Sequence, residues 1–221
     1  MTDASPSHAS PTNEHGSSTP SDHHEHRFEH PEEYTDDWNS PERDDWQKPD
    51  RVLAAMKVEP GMTVADLGTG TGYFVPHLSA AVGAKGCVKA VDREPAMLDY
   101  VAEIAEDNEL GNVDTVTADP TDTHLSPASV DRMLTVNVWH HIPDRVDYAA
   151  HLAGRLTENG AVWVLDYTAE APMGPPEEHR LAPKGVVHEL EQGGLAAEIR
   201  DLGLPHQFAV VGHRDGASGK R

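Results

Sequence analysis

The sequence predicts an α/β fold, doubly wound around a mostly parallel sheet, and three observations carry that prediction. From Asp50 onward, apolar runs of strand length alternate with stretches of helical periodicity. One run leads straight into closely spaced glycines, Val64-Ala65-Asp66-Leu67-Gly68-Thr69-Gly70-Thr71-Gly72. The next run closes on an acid, Asp92. Strands separated by helices pair in parallel, with right-handed crossovers that cover both faces of the sheet.

The elements follow in order. Val52, Leu53 and Met56 give a short amphipathic helix, stopped by Glu59, Pro60 and Gly61 before a strand at 63–67. A helix at 73–82, a strand at 87–91, a helix at 95–107 and a strand at 113–117 come next. A strand at 130–138 feeds a helix at 144–156, where Val146, Ala149, Ala150, Ala153 and Leu156 share one face. The fifth strand is 161–166; a proline-rich loop, a helix at 183–192 and strands at 195–200 and 207–212 complete the pattern.

Residues 1–26 hold Ser, Thr, Pro, His and acid with almost nothing apolar, a composition that cannot offset the entropy of ordering and reads as a disordered tail. His23, His24 and His26 within it have no fixed geometry and are assigned no function. Residues 27–49 differ, because Phe28, Tyr34, Trp38 and Trp46 recur among acids and prolines. Aromatics in a polar stretch need a surface, so this segment is a clasp across the domain or a lid over its ligand. The domain itself is expected at 50–213, with a flexible tail at 214–221.

A chain of 221 residues suffices for one such domain and its tail. No apolar run approaches the roughly 20 residues of a membrane span, and the first residues are neither basic nor apolar, so a soluble cytoplasmic protein is expected. The single cysteine, Cys87, sits in an apolar run and reads as a strand residue rather than a reactive thiol. The balance of 38 acidic against 17 basic residues gives a net charge of −21, which repels polyanions and argues against a nucleic-acid partner. Abundant acid with scarce lysine is the composition expected of a halophilic protein, kept soluble where salt screens its self-repulsion.

In an open parallel sheet, ligands bind outside the carboxyl ends of the strands at the switch point. Gly68, Gly70 and Gly72 let the backbone turn tightly and approach a ligand, and the following helix is expected to offer free N–H groups to an anion such as a carboxylate. Asp92, closing the second strand, suits the two hydroxyls of a ribose. A dinucleotide turn favours Gly-x-Gly-x-x-Gly, whereas here the third glycine comes one residue early. Asp66 also sits badly beside a pyrophosphate but suits an ammonium group.

These residues resemble the class I S-adenosylmethionine-dependent methyltransferases, most closely the small bacterial methyltransferase type 11 branch. The likeness runs over about 50–211. Beyond the glycine turn it includes Ala90-Val91-Asp92-Arg93-Glu94-Pro95-Ala96-Met97-Leu98, the stretch from Ser129 through Asn137 to Trp139-His140-His141-Ile142, and Val164-Leu165-Asp166-Tyr167. The resemblance implies a Rossmann-like sheet of seven strands with the last antiparallel, and S-adenosylmethionine as cofactor. It implies that Asp66, Gly68 and Gly70 hold the methionine end, with Thr69 and Gly72 in the same turn, while Asp92 takes the ribose. Arg93 and Met97 would flank the adenine, Asp119 in preference to Asp122 would meet its amino group, and Asn137 would complete the cofactor set.

Methyl transfer from a sulfonium is an in-line displacement that mainly requires alignment and exclusion of water. If the acceptor must lose a proton, candidate bases follow strands four and five: His140, His141 and Tyr167, beside Asn137 and Asp166. Trp139 to Pro143 also reads as the opening of a helix, and adjacent histidines with no third ligand do not make a metal site. The loop at 171–180 is stiffened by proline and is expected to cover the acceptor, with His179 and Arg180 either orienting an anionic substrate or anchoring the loop. A small-molecule acceptor is expected. The competing readings are a nicotinamide-dependent oxidoreductase and a non-catalytic binder of S-adenosylmethionine or its demethylated product.

Overall fold

The computed structural model describes residues 30–214. The tail at 1–26, Phe28 of the clasp and the residues from 215 onward lie outside them.

Seven strands form one sheet: β1 (Thr63–Leu67), β2 (Cys87–Asp92), β3 (Val113–Thr117), β4 (Val130–Val136), β5 (Leu156–Tyr167), β6 (Ala196–Arg200) and β7 (Gln207–His213). Their order is β3-β2-β1-β4-β5-β7-β6. The first five pair in parallel, and β7 runs antiparallel to both β5 and β6. The order reverses between β2 and β4 on either side of β1, which opens the switch-point crevice above the end of β1.

Side chains alternate across the strands, so each face of the sheet has its own core. Val64, Val88, Leu134 and Trp163 pack against α3 (Pro49–Met56) and α4 (Val75–Val82) through Val52, Met56, Phe74 and Leu78. Val101 of α5 (Pro95–Asp107) meets Ala90 and Val75 on that side. Ala65, Met133 and Val162 face the other way, against Leu152 of α6 (Arg145–Arg155) and Val186 and Leu190 of α7 (Pro183–Gln192). Among the described residues no helix is long and apolar enough to cross a membrane.

The structure moves several boundaries. β4 ends at Val136 rather than continuing to 138, because Asn137 takes a left-handed φ of 60° and turns the chain out of the ladder. Trp139–His141 is a single 3-10 turn, and α6 begins only at Arg145. β5 starts at Leu156, expected as the end of a helix, and pairs it with Val130 across a register shift. Arg214, the first residue of the expected tail, donates its amide to the Gly160 carbonyl. Cys87 stands in β2, where burial raises its thiol pKa.

Ahead of the domain, a 3-10 turn at Pro31–Glu33 and two short helices, α1 (Thr35–Trp38) and α2 (Arg43–Gln47), form the aromatic clasp. They lie over the glycine turn. A Cβ placed on Gly70 would meet the Trp38 ring at 3.3 Å, and Asn39 bonds the Thr71 carbonyl at 3.0 Å and its hydroxyl at 2.7 Å.

Candidate cofactor and active site

The glycine turn is pinned to the second strand. Gly68 and Thr69 both donate their amides to the Val91 carbonyl, and the Gly70 amide donates to Oδ2 of Asp92 at 2.9 Å. The other Asp92 oxygen accepts from the Glu94 amide at 3.0 Å. That carboxylate is thus held at the mouth of the crevice, with lone pairs left on both oxygens. Burial raises its pKa, while backbone bonds from Glu94, Gly70 and Arg93 and the Arg93 charge pull the other way. Gly68 has φ +70° and lies so close to β4's exit that a Cβ would strike the Val138 side chain at 2.5 Å. Gly72 also has positive φ, and its Cβ would meet Val101 at 3.0 Å.

Asp66, at the end of β1, is 4 % exposed and accepts the Thr69 hydroxyl at 2.9 Å. Burial lifts its pKa to about 6; the Thr69 bond and the charge of Arg43 oppose the rise. A partly neutral carboxyl beneath a ligand site is a ready partner for a cation, which would restore its charge. The expected carboxylate site at the head of α4 fares differently. Val75 donates to Gly72 and Gly72 to Thr69, and Pro76 has no amide, so much of the turn's donor capacity is spent internally.

At the carboxyl ends of β4 and β5, His140 and Asp166 form a buried pair. Nδ1 of His140 lies 2.9 and 3.0 Å from the two Asp166 oxygens, and the side chains are 6 % and 3 % exposed. Asp166 also accepts the His140 and Tyr167 amides, which fixes its orientation. A carboxylate only accepts, so Nδ1 carries the proton and Nε2 keeps its lone pair. His141 is exposed, with its ring centre 4.1 Å from that of His140 and tilted by 42° to it. Burial raises the Tyr167 pKa, which keeps the phenol protonated and suits it to donating rather than to acting as a base.

The remaining expected residues sort by neighbourhood. Asn137 accepts from Gln207 at 2.7 Å, and Gln207 in turn accepts from Gln47 of α2 at 2.6 Å. Met97 is buried at the start of α5 and Arg93 is exposed just before it. Asp119 is exposed and 3.1 Å from His124, while Asp122 accepts the His124 amide. Arg180 donates to the carbonyls of Thr168, Ala169, Ala171, Met173 and Pro175, so it knots the proline loop together rather than facing a substrate. His179 is exposed in a 3-10 turn of that loop.

Sequence reasoning missed Arg43, Gln47 and Gln207. Nothing in their spacing marks them; only the aromatic clasp around Arg43 and Gln47 signalled a segment in contact with the site. Among the described residues no cluster of His, Cys, Asp and Glu is arranged to hold a metal.

The chemistry of these residues suits S-adenosylmethionine: Asp92 offers acceptors to hydroxyls, and the buried Asp66 offers a counter-charge to an ammonium. Residues 64–160 match the family described as a methyltransferase domain. Aklanonic acid methyltransferase of Streptomyces sp. (strain C5) is 26% identical over 135 residues, 60% of this chain and 61% of that protein. A protein-L-isoaspartate O-methyltransferase of Methanococcus maripaludis is 27% identical over 88 residues, 40% of this chain and 42% of that protein. The chain thus spans under two thirds of the length of these curated relatives. Among solved structures, an S-adenosylmethionine-dependent methyltransferase from Aquifex aeolicus superimposes with a TM-score of 0.77 at 26% identity, covering 83% of this chain and 98% of that one. Sheet order, glycine turn and these likenesses converge: residues 64–160 carry a methyltransferase domain, and the chain is similar to class I S-adenosylmethionine-dependent methyltransferases of the type 11-like branch.

Proposed function

We propose that this protein transfers a methyl group to a small-molecule acceptor seated at the carboxyl ends of β4 and β5, beneath the N-terminal clasp. The observation that carries the reading is the buried His140–Asp166 pair, with Nδ1 held by the carboxylate and Nε2 left as a base. Bound S-adenosylmethionine supplies an activated methyl on a sulfonium. The protein's part is to align and to exclude water: Asp92 and the glycine turn hold the nucleoside, Asp66 holds the amino group, and the clasp roofs the crevice. His140 takes the acceptor's proton as the methyl is transferred, and Asp166 steadies the imidazolium.

A small acceptor is supported by the clasp, whose Trp38 and Asn39 leave a macromolecule little approach to the turn. One relative is named for aklanonic acid and another for an isoaspartate in protein, so the relatives alone do not choose. The charge of −21 argues against nucleic acid and supports a soluble, cytoplasmic protein adapted to concentrated salt. The test is release of S-adenosylhomocysteine across a panel of phenols, carboxylic acids and amines, with His140→Asn alongside. Acceptor-dependent release that collapses in the variant supports the reading. Tight cofactor binding with no release for any acceptor would make the protein a binder instead.

A further inference from the structure

A row of polar side chains runs from the clasp to the end of β5. Nη2 and Nε of Arg43 lie 3.2 and 3.4 Å from Oε1 of Gln47, Nε2 of Gln47 lies 2.6 Å from Oε1 of Gln207, and Nε2 of Gln207 lies 2.7 Å from Oδ1 of Asn137. Tyr167 is the last member. It stands opposite Gln207 in the pairing of β5 with β7, so the two side chains share a face of the sheet, and Asn137 hydrogen-bonds its phenol.

The direction of the row is set at the Arg43 end. A guanidinium only donates, so Gln47 turns its oxygen to Arg43 and its amide nitrogen to Gln207. Gln47 and Gln207 are 0 % and 4 % exposed, which leaves neither amide free to turn to water instead. Gln207 and Asn137 then take the one orientation left to each, oxygen toward the donor before it and nitrogen toward the group after it. Tyr167 is reached by a donor. Burial raises the phenol's pKa and the Asn137 bond opposes the rise, as a donor to the phenol oxygen does. A phenol that accepts in this way keeps its own proton to give, and among the described residues nothing takes it.

The position of this hydroxyl ties it to the acceptor. Tyr167 ends β5, a Cβ on Gly174 of the proline loop would come within 2.5 Å of its ring, and the charges of Arg43, Asp166 and Arg180 all reach it. Clasp, strand and proline loop meet there. The residue before it, Asp166, holds His140. A base and a donor served by successive residues of one strand call for one group that loses a proton and another that only accepts, which a hydroxyl and a carbonyl oxygen on one molecule provide.

We infer that Tyr167 donates its hydroxyl proton to the acceptor and that the acceptor is a hydroxy-carbonyl compound, its hydroxyl facing His140 and its carbonyl oxygen held by Tyr167. Gln47, Gln207 and Asn137 are positioning residues that keep the phenol turned this way. The inference rests on the proposed methyl transfer at the ends of β4 and β5.

The test is S-adenosylhomocysteine release from acetylphenols against ethylphenols of the same substitution, within the wider panel of acceptors. In wild type the KM for an acetylphenol should be about tenfold below that of its partner, and Tyr167→Phe should bring the pair level. Comparing variants on the same two compounds cancels their difference in intrinsic reactivity. Gln47→Glu separates orientation from packing, because it has the same shape and still offers Arg43 an oxygen but presents only acceptors to Gln207. Gln207 and Asn137 must then both turn over, and the Asn137 oxygen takes the Tyr167 proton. The preference should vanish in Gln47→Glu although the phenol remains, with circular dichroism checking the fold. Preference retained in either variant overturns the inference, as does release confined to acceptors without a carbonyl oxygen. Tight S-adenosylhomocysteine binding with no release from any acceptor removes instead the transferase reading on which the inference stands.

Discussion

The Gly70 amide donates to Asp92 across the crevice at 2.9 Å, joining the turn after the first strand to the acid that ends the second. One carboxylate thereby shapes the turn and keeps lone pairs free at the crevice. Asp92→Ala should weaken S-adenosylhomocysteine binding by about 10- to 100-fold, the worth of one or two hydrogen bonds to a charged group. Calorimetry measures the loss and circular dichroism checks that the fold survives; an unchanged affinity would reject the ribose assignment.

Asp66 sets a pH dependence. Its pKa rises from 3.8 to about 6 on folding, so between those values the unfolded chain binds fewer protons and the acid's contribution to stability falls as pH rises. Cofactor affinity runs the other way, because the ammonium needs the ionised carboxylate. Between pH 7.5 and pH 5, S-adenosylhomocysteine binding should weaken about tenfold, following the ionised fraction. Asp66→Asn should bind weakly with a flat profile; an unaltered slope in that variant would assign the titration elsewhere.

His140→Asn should lower kcat by about 10²- to 10⁴-fold, the range of a general base, with cofactor affinity unchanged. Asp166→Asn reverses the bond to Nδ1, so its kcat should fall too. If kcat holds in both variants, the acceptor reacts without losing a proton to the protein.

Gly68→Ala places a methyl 2.5 Å from Val138 at a φ of +70°. A cost of about 1–3 kcal/mol in thermal or denaturant unfolding is expected from the backbone alone, with overpacking added. Adding Val138→Ala should recover only the overpacking part.

Much of this architecture is legible in the sequence because apolar runs end on residues with sharp backbone demands. Glycines after Leu67 and the acid at Asp92 mark where β1 and β2 stop. The extension of β5 is hidden because Thr157, Glu158, Asn159 and Gly160 look like a polar turn, and only the bulged pairing of Leu156 with Val130 makes them strand. Asn137 takes the left-handed backbone that its short polar side chain tolerates, but it sits inside an apolar run that reads as continuous strand. Arg43 is masked by its acidic surroundings in the chain, which give no hint that folding places it against Tyr73.

Because β7 runs antiparallel, its first residue, Gln207, rather than its last, lies at the ligand end of the sheet, opposite Tyr167. The amide of Gln47 reaches it across 160 positions of chain. A growing polypeptide therefore makes its cofactor turn early but cannot fasten the clasp to β7 until almost the whole domain has left the ribosome. For most of its synthesis the nascent site has its floor without its roof.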